Sequence, residues 1–511
     1  MLGMRPVSMI LLAGITLVWG CAGCESESSA PEAGWPTAPP EEQGFDSAAL
    51  AEVVEQIDAQ ETSVDSLLIV RNGVLVLDAY FHPYRNDLLH DVASVTKSVT
   101  STLVGIASDR GLLRLDQNLV ATFPELVPEP PTDGKEDIAL RHLLTMTSGL
   151  DCGRTTGEPE LAEMTASEHW VDYALGIPMA VPPGSEFAYC SPGSHLLSAM
   201  ITKATGRRAL DFARDVLFEP LGIREAKWPD DPQGISRGWG DLQLHPRDMA
   251  RIGLLFLREG AWNDVQVVSK EWVREAVRHQ VTAETDGTGY GYQWWVLAGV
   301  FEGIYEARGR GGQAIIVWPD KDVVAVFTGG GTDVRGRIAP SLVAALKSDS
   351  ALPPNPEANA GLAAAIEAAA EPPLAKPVPP LPPMAAQVSG KTYRLGANQF
   401  DLECMALDFS SASDVFLELT IESAEYGFAI GFDAVPRISE TGPTDVPVGI
   451  TGEWTEPSVL LLHYDEVAGP NLLEIRSDFG VDPETVTVEL TDASGYFPPQ
   501  SIDGLAVATC P

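Results

Sequence analysis

Apolar residues along the first 350 positions follow two different periods. Residues 45–60 (FDSAALAEVVEQIDAQ) repeat them at helical spacing after an Asp46/Ser47 start, which predicts an amphipathic helix. Two short apolar runs follow, residues 66–70 and 74–77, separated by Arg71-Asn72-Gly73. Asn-Gly between β-type runs predicts a tight hairpin. A long middle then reads as helix: the stretch 93–111, then 138–146, 196–204, 209–217, 246–258 and 270–279. Strand-like runs return at 303–307, 313–317 and 322–328, the last after a Pro319-Asp320 turn. Strands at both ends of one domain predict that they join in one sheet with helices packed on it, an α/β architecture. That closure brings the segment near Arg310 to the start of the helix at 93–111.

From residue 352 to 384 the pattern changes. Residues 357–370 are an Ala-rich helix candidate, and PPLAKPVPPLPP (372–383) is a semi-rigid polyproline-like spacer. From 389 onward the runs are β-like: 416–421, 428–432, 459–464, 472–476 and 485–490, bounded by Gly, Pro and Asp. Short strands at this spacing predict a small all-β sandwich or barrel. The expected organisation is a first domain over 44–350, an Ala/Pro-rich linker over 351–386 and a β domain over 387–511.

The N-terminus changes the compartment. Arg5 precedes an apolar run over residues 9–19, and Val18-Trp19-Gly20-Cys21 resembles a bacterial lipobox. Residues 1–24 are expected to be an export signal with Cys21 lipidated; a plain cleaved signal, or use of Cys24, is the alternative. Residues 25–43, rich in Ser, Pro and Glu, would be a disordered, solvated tether. This places the protein in the periplasm or at the cell surface of a bacterium, held to the membrane only by its lipid. Export implies an oxidising compartment, so the remaining cysteines read first as disulfides. Cys152, Cys190, Cys404 and Cys510 allow three connectivities, and the domain boundary favours Cys152–Cys190 and Cys404–Cys510. A net charge of −39 argues against nucleic acid and anionic membrane surfaces as partners. The eight His are scattered and no Cys/His spacing suggests zinc, so no metal or organic cofactor is expected.

The chemistry-bearing stretch is ASVTKSVTSTLVGIASDRG, residues 93–111. Ser94 and Lys97 stand three apart, on one face of a helix. A serine hydroxyl is a weak nucleophile and needs a base; a desolvated lysine supplies one. The helix is mostly apolar or small after Lys97, so that lysine is expected to be buried. Tyr189, in EFAYCS, is a candidate second base as a phenolate; a plain core tyrosine is the competing reading. Arg308 to Gln313 (RGRGGQ) leads into a strand, and paired glycines let a backbone approach a ligand and offer N–H groups to an oxyanion. Two decoys are set aside. Tyr84-Arg85-Asn86 lies before Ser94. Gly234-Ile235-Ser236-Arg237-Gly238 has no strand before it and no helix after it, as a nucleophile elbow requires. Trp239, Tyr292, Trp294, Trp295 and Trp318 line a cleft or fill a core.

The three features in this order, with HDVASVTKSVTSTLVGIASDRG, LRHLLTMTSGLDC, PPGSEFAYCSPGSHLL, RDMARIG and GYGYQWW, resemble the serine β-lactamase/penicillin-binding-protein-like family over residues 42–345. The branch resembled is that of class C β-lactamases, esterases and 6-aminohexanoate-dimer hydrolases. The resemblance implies a β-lactamase/transpeptidase-like antiparallel sheet flanked by helices. It implies Ser94 as acylated nucleophile, Lys97 as its base, Tyr189 as the family tyrosine, and an oxyanion hole from the N–H groups of Ser94 and Gln313. Ser191 stands where the family carries Asn, and Arg310-Gly311-Gly312 where it carries Lys/His-Thr-Gly; these are the expected substrate-binding positions. Arg310 is expected to hold a substrate carboxylate. The expected reaction is hydrolysis of a small-molecule or peptide-like ester or amide. A β-lactamase or D-Ala-D-Ala carboxypeptidase is the rival enzyme, and a non-catalytic surface binding module the rival outside catalysis.

Overall fold

The hairpin forms as its turn residues require. Val64–Arg71 and Val74–Tyr80 pair antiparallel, and Asn72 and Gly73 both take positive φ, 52° and 76°. That pair of conformations matches the twist of two antiparallel strands, and Asn and Gly tolerate it best. The protein is described by a computed structural model over residues 35–59, 63–126, 134–153, 158–331, 334–410, 415–495 and 497–510. The proposed signal, lipidation site Cys21 and most of the proposed tether lie outside the described residues.

Val64–Arg71 pairs on its other edge with Val323–Gly329, so the first and last strands of the domain close on each other as expected. The antiparallel order continues through Ala314–Trp318 and Tyr305–Arg308 to three two-residue strands, making eight in all. Helix Ser47–Ala59 covers one face, burying Leu50, Val53, Val54 and Ile57 against Leu67, Ile69, Ala325 and Phe327. Helix Pro246–Leu257 covers the other. There Gly253 lies so close to the sheet that a Cβ would stand 2.5 Å from Val324 and 2.7 Å from Ile315, which only glycine avoids. Val95–Asp109, buried from Val95 to Ala107, meets the strand Tyr305–Arg308 and has Ser191–Thr205 packed on it.

Two boundaries differ from expectation. Residues 40–43, expected as the end of a solvated tether, form a 3₁₀ turn with Glu41 buried. Its carboxylate accepts from Ser47 N (3.1 Å), Ser47 Oγ (2.9 Å) and Asn359 Nδ2 (2.7 Å), which compensates the burial of a charged side chain. The expected linker is also largely structural. Pro356–Ala370 is a helix lying along Ser47–Ala59, with Leu362, Ala365 and Ala369 in the core beneath the sheet. Its Ala-rich composition hides the buried stripe, because alanine stands on both the packed and the exposed faces.

The C-terminal part is a ten-stranded antiparallel sheet from Thr392–Leu395 to Gln500–Val507. A bridge between Gly431 and Thr451 brings its two edges together into a nearly closed barrel. Tyr393, Met405, Phe428, Leu462 and Phe479 fill the interior, and Pro383–Val388 adds Met384, Ala385 and Val388. The five expected strands are present. Five more are too short, or too interrupted by Gly and polar residues, to read from the chain. Cys404–Cys510 joins the second strand to the end of the last. Thr37–Pro511 is one compact unit, so the barrel is docked on the first domain rather than tethered to it. Leu362→Ala is expected to lower unfolding free energy by about 2–4 kcal/mol in urea titration; no change would return this helix to the linker.

Candidate active site

The turn that delivers Ser94 is tightly wound. Ala93 adopts φ 45°, a left-handed conformation uncommon outside glycine, and Asp91 Oδ1 fixes it by accepting Ala93 N at 2.7 Å. Ser94 is then the N-cap of helix Val95–Asp109, with Lys97 one turn in. Lys97 is 1 % exposed. Its Nζ donates to Ser94 Oγ at 2.8 Å and to the carbonyl of Trp239 at 2.9 Å, and stands 4.8 Å from the centre of the Tyr189 ring. Burial pushes the ammonium down to about 8, while the carboxylates of Glu158 and Asp241 pull the other way. Near pH 8, then, about half of the protein carries a neutral amine on the serine hydroxyl.

Tyr189 reaches this pair from a braced loop. Cys190 is bonded to Cys152, Ala188 N donates to Met146 O at 2.8 Å, and Gly153 lies so near that a Cβ would overlap the Tyr189 carbonyl. The Tyr189 ring stacks on Trp295 at 5.9 Å. Burial and then Glu158 push the phenol up, opposed by a hydrogen bond to Ser94 and by Arg308. The phenol therefore keeps its proton at neutral pH. Of the two groups, Lys97 is the one brought toward its neutral form near pH 8.

The glycine segment meets the same turn. Arg310–Gly312 is a short 3₁₀ turn with Gly311 at φ 80° and Gly312 at φ 98°, values that disfavour any side chain. A Cβ on Gly309 would stand 2.6 Å from Val92 O, 2.9 Å from Gln313 Cβ and 3.1 Å from Ala93 Cβ, so Gln313 lies against the Ser94 turn. The Gln313 side chain is buried away in the sheet, where Nε2 donates to Gly329 O and Oε1 accepts from Gly329 N.

Two expected substrate contacts are placed differently. Ser191 is fully buried in the first turn of its helix, its Oγ without a hydrogen-bond partner among the described residues, while its amide donates to Glu158 Oε1 at 3.3 Å. The first eleven residues of that helix are all buried. Arg310 donates from Nη1 to Asn471 Oδ1 of the barrel and lies 5.5 Å from the Phe497 ring centre. It engages the protein's own chain where a substrate carboxylate was expected.

The Gly-x-Ser-x-Gly decoy has a structural use. Ser236 is buried, donates to Asp230 Oδ1 at 2.9 Å and accepts from Leu210 N at 3.3 Å. A Cβ on Gly238 would stand 2.3 Å from Ser194 O, so the stretch slips between two helices and presents the Trp239 carbonyl to Lys97. Tyr84, the other decoy, is buried and donates to Leu88 O. Of the aromatic candidates, Trp295 reaches the Tyr189 ring, while Tyr292 and Trp294 are core and Trp318 packs on the far face of the sheet. Sequence reasoning missed Glu158, Asp241 and the Trp239 carbonyl. Glu158 sits in a polar loop with no distinguishing pattern, and a backbone carbonyl leaves no residue-type signal at all.

An antiparallel sheet with helices on both faces, with a serine–lysine–tyrosine cluster beside the turn between two of its inner strands, defines a class of serine hydrolases. The family model described as Beta-lactamase matches residues 50–345, more than half of the chain, and the chain belongs to that family. It is 28% identical over 316 residues to the 6-aminohexanoate-dimer hydrolase of Paenarthrobacter ureafaciens, covering 55% of this chain and 79% of that protein. It is 27% identical over 176 residues to Esterase EstB of Burkholderia gladioli, covering 32% of this chain and 45% of EstB, less than half of that relative. In fold it resembles EstCE1, titled a hydrolase with promiscuous acyltransferase activity, with TM-score 0.51 at 17% identity over 59% of this chain and 99% of that one. The chain is a serine hydrolase of the β-lactamase-related kind.

The site's electrostatics set a pH dependence. If neutral Lys97 takes the serine proton, phosphonylation of Ser94 by a fluorophosphonate should rise with pH to a plateau, half-maximal near pH 8. A rate that is flat from pH 6 to 9 would contradict Lys97 as base. Unreduced peptide mapping should recover Cys152 linked to Cys190; two free thiols at these positions in exported protein would refute the brace on the tyrosine loop.

Proposed function

We propose that the chain is an exported hydrolase that cleaves neutral esters or amides through an acyl-enzyme on Ser94. The observation that carries this reading is the 2.8 Å contact between Lys97 Nζ and Ser94 Oγ at a lysine withdrawn from water. Neutral Lys97 takes the hydroxyl proton as Ser94 Oγ bonds to the substrate carbonyl carbon. The carbonyl oxygen becomes an oxyanion on the N–H groups of Ser94 and Gln313. Collapse breaks the bond to the leaving alcohol or amine, which takes a proton from the Tyr189 phenol; Lys97 re-protonates the phenol. The amine left neutral then activates water, which attacks the acyl carbon and returns Ser94 as the leaving group, its proton supplied by Lys97.

The departures from the family motifs favour esters and simple amides over β-lactams. Tyr-x-Asn has become Tyr189-Cys190-Ser191, and the hydroxyl at 191 is buried. The cation of the third motif is engaged by Asn471. A group to grip a substrate amide and a cation to hold a carboxylate are thus both reduced. The relatives named as an esterase and a 6-aminohexanoate-dimer hydrolase fit this direction. The export-type N-terminus and two disulfides support a periplasmic or surface location.

Short-chain p-nitrophenyl esters and nitrocefin, assayed side by side, test the substrate class. Ester turnover with little nitrocefin hydrolysis is expected, and the reverse would make the chain a β-lactamase. Ser94→Ala should abolish ester turnover and Lys97→Met should lower it about 10²–10⁴-fold. Arg310→Ala should reduce kcat/KM by the same factor for neutral and acidic acyl groups; a loss confined to acidic ones would restore the carboxylate-binding role.

A further inference from the structure

The turn between barrel strands Val459–Glu466 and Leu472–Asp478 reaches both halves of the site at once. On one side Ala468 O accepts Asp91 N at 2.8 Å, and Asp91 Oδ1 holds Ala93 N. On the other side Asn471 Oδ1 accepts from Arg310 Nη1, and Pro470 Cβ stands 2.9 Å from the place a Cβ on Gly311 would occupy. Asn471 is itself fixed: Nδ2 donates to Glu466 Oε2 at 2.6 Å, and Glu466 Oε1 accepts from Thr444 Oγ1 at 2.8 Å. Glu466 is buried, so a loss of its partners would leave an uncompensated carboxylate.

The spacing of these contacts matters. Asp91 lies three residues before Ser94, and Arg310 three residues before Gln313. The two amides assigned to the oxyanion hole are therefore each one short turn from a barrel contact, and one hairpin turn holds both. Two N–H groups stabilise an oxyanion only when their separation is kept within a fraction of an ångström. Segments rich in glycine, such as 309–312, do not hold their own shape and need an external brace.

We propose that the barrel domain is part of the hydrolytic machinery, and that Asn471 is the positioning residue through which it aligns the oxyanion hole; this rests on the acyl-enzyme reading above. Asn471 touches no reacting atom. It acts through Arg310 on the Gly311-Gly312-Gln313 segment, so it governs kcat with little effect on KM.

The test uses the full chain and four proteins: wild type, Asn471→Ala, Asn471→Asp, and Asn471→Asp combined with Glu466→Gln. Each is measured for kcat and KM on a p-nitrophenyl ester, for the rate of Ser94 phosphonylation, for thermal midpoint and for amide exchange over residues 309–313. Asn471→Ala should lower kcat and the phosphonylation rate about 10- to 100-fold, leave KM within about twofold, and speed exchange at 309–313. Asn471→Asp should also lose rate, because it sets a second carboxylate against Glu466. The double variant reverses the hydrogen bond between 466 and 471 while keeping an acceptor for Arg310, and should recover wild-type rate and exchange within about twofold. Unchanged kcat and exchange in Asn471→Ala, or a double variant no better than Asn471→Asp, would overturn the proposal. If Asn471→Ala does not fold, the comparison of the two Asp-containing variants decides alone. A wild type that is not phosphonylated at Ser94 sinks the acyl-enzyme reading and this inference with it; a labelled wild type with an indifferent Asn471 sinks only this inference.

Discussion

A lysine held out of water is the constraint on which the rest of the site depends. Lys97 is lowered from 10.5 to about 8 chiefly by burial. The folded protein therefore binds fewer protons there than the unfolded chain between those pH values. Stability contributed by this residue rises with pH across that window, and below pH 8 the burial costs about 3 kcal/mol. A surface lysine would avoid the penalty and would be almost fully protonated at neutral pH, useless as a base. The buried helix Val95–Asp109, the carbonyl of Trp239 and the ring of Tyr189 keep water away while satisfying the ammonium. Tyr189 feels the same desolvation with opposite effect, because burial disfavours its charged form as well, and for a phenol that means keeping the proton. One dry environment thus pushes the two groups in opposite directions, the amine toward its neutral form and the phenol toward keeping its proton.

The geometry around this pair comes from backbone that few side chains tolerate. Ala93 at positive φ turns the chain into the helix that begins at Ser94 and Val95, and Gly311 and Gly312 turn it into Gln313 and the strand Ala314–Trp318. Neither turn is held by its own segment alone. The Ala93 turn is fixed by Asp91, and both Asp91 and Arg310 are held by the barrel. The C-terminal domain thus meets the site where the backbone is least able to support itself.

What was legible in the chain was local. The Asn72-Gly73 hairpin, the serine–lysine spacing at 94 and 97, and the glycines at 311 and 312 each carry a conformational requirement visible in the residue type. The closure of Val64–Arg71 on Val323–Gly329 followed from strands at both ends of a helical middle. What was not legible depends on partners distant in sequence. Nothing about Arg310 discloses that Asn471, 161 residues later, takes its guanidinium. Glu41 reads as tether until Ser47 and Asn359 are seen to satisfy it, and an Ala-rich helix shows no apolar stripe even when Leu362, Ala365 and Ala369 are core. The Trp239 carbonyl that completes the lysine's environment is backbone, which no residue pattern encodes.

The most direct measurement is an NMR titration of the Lys97 side chain, with Lys97→Met identifying its resonance. The structure predicts a midpoint near pH 8. A midpoint near 10.5, that of an ordinary solvated lysine, would contradict the dry base and the mechanism built on it.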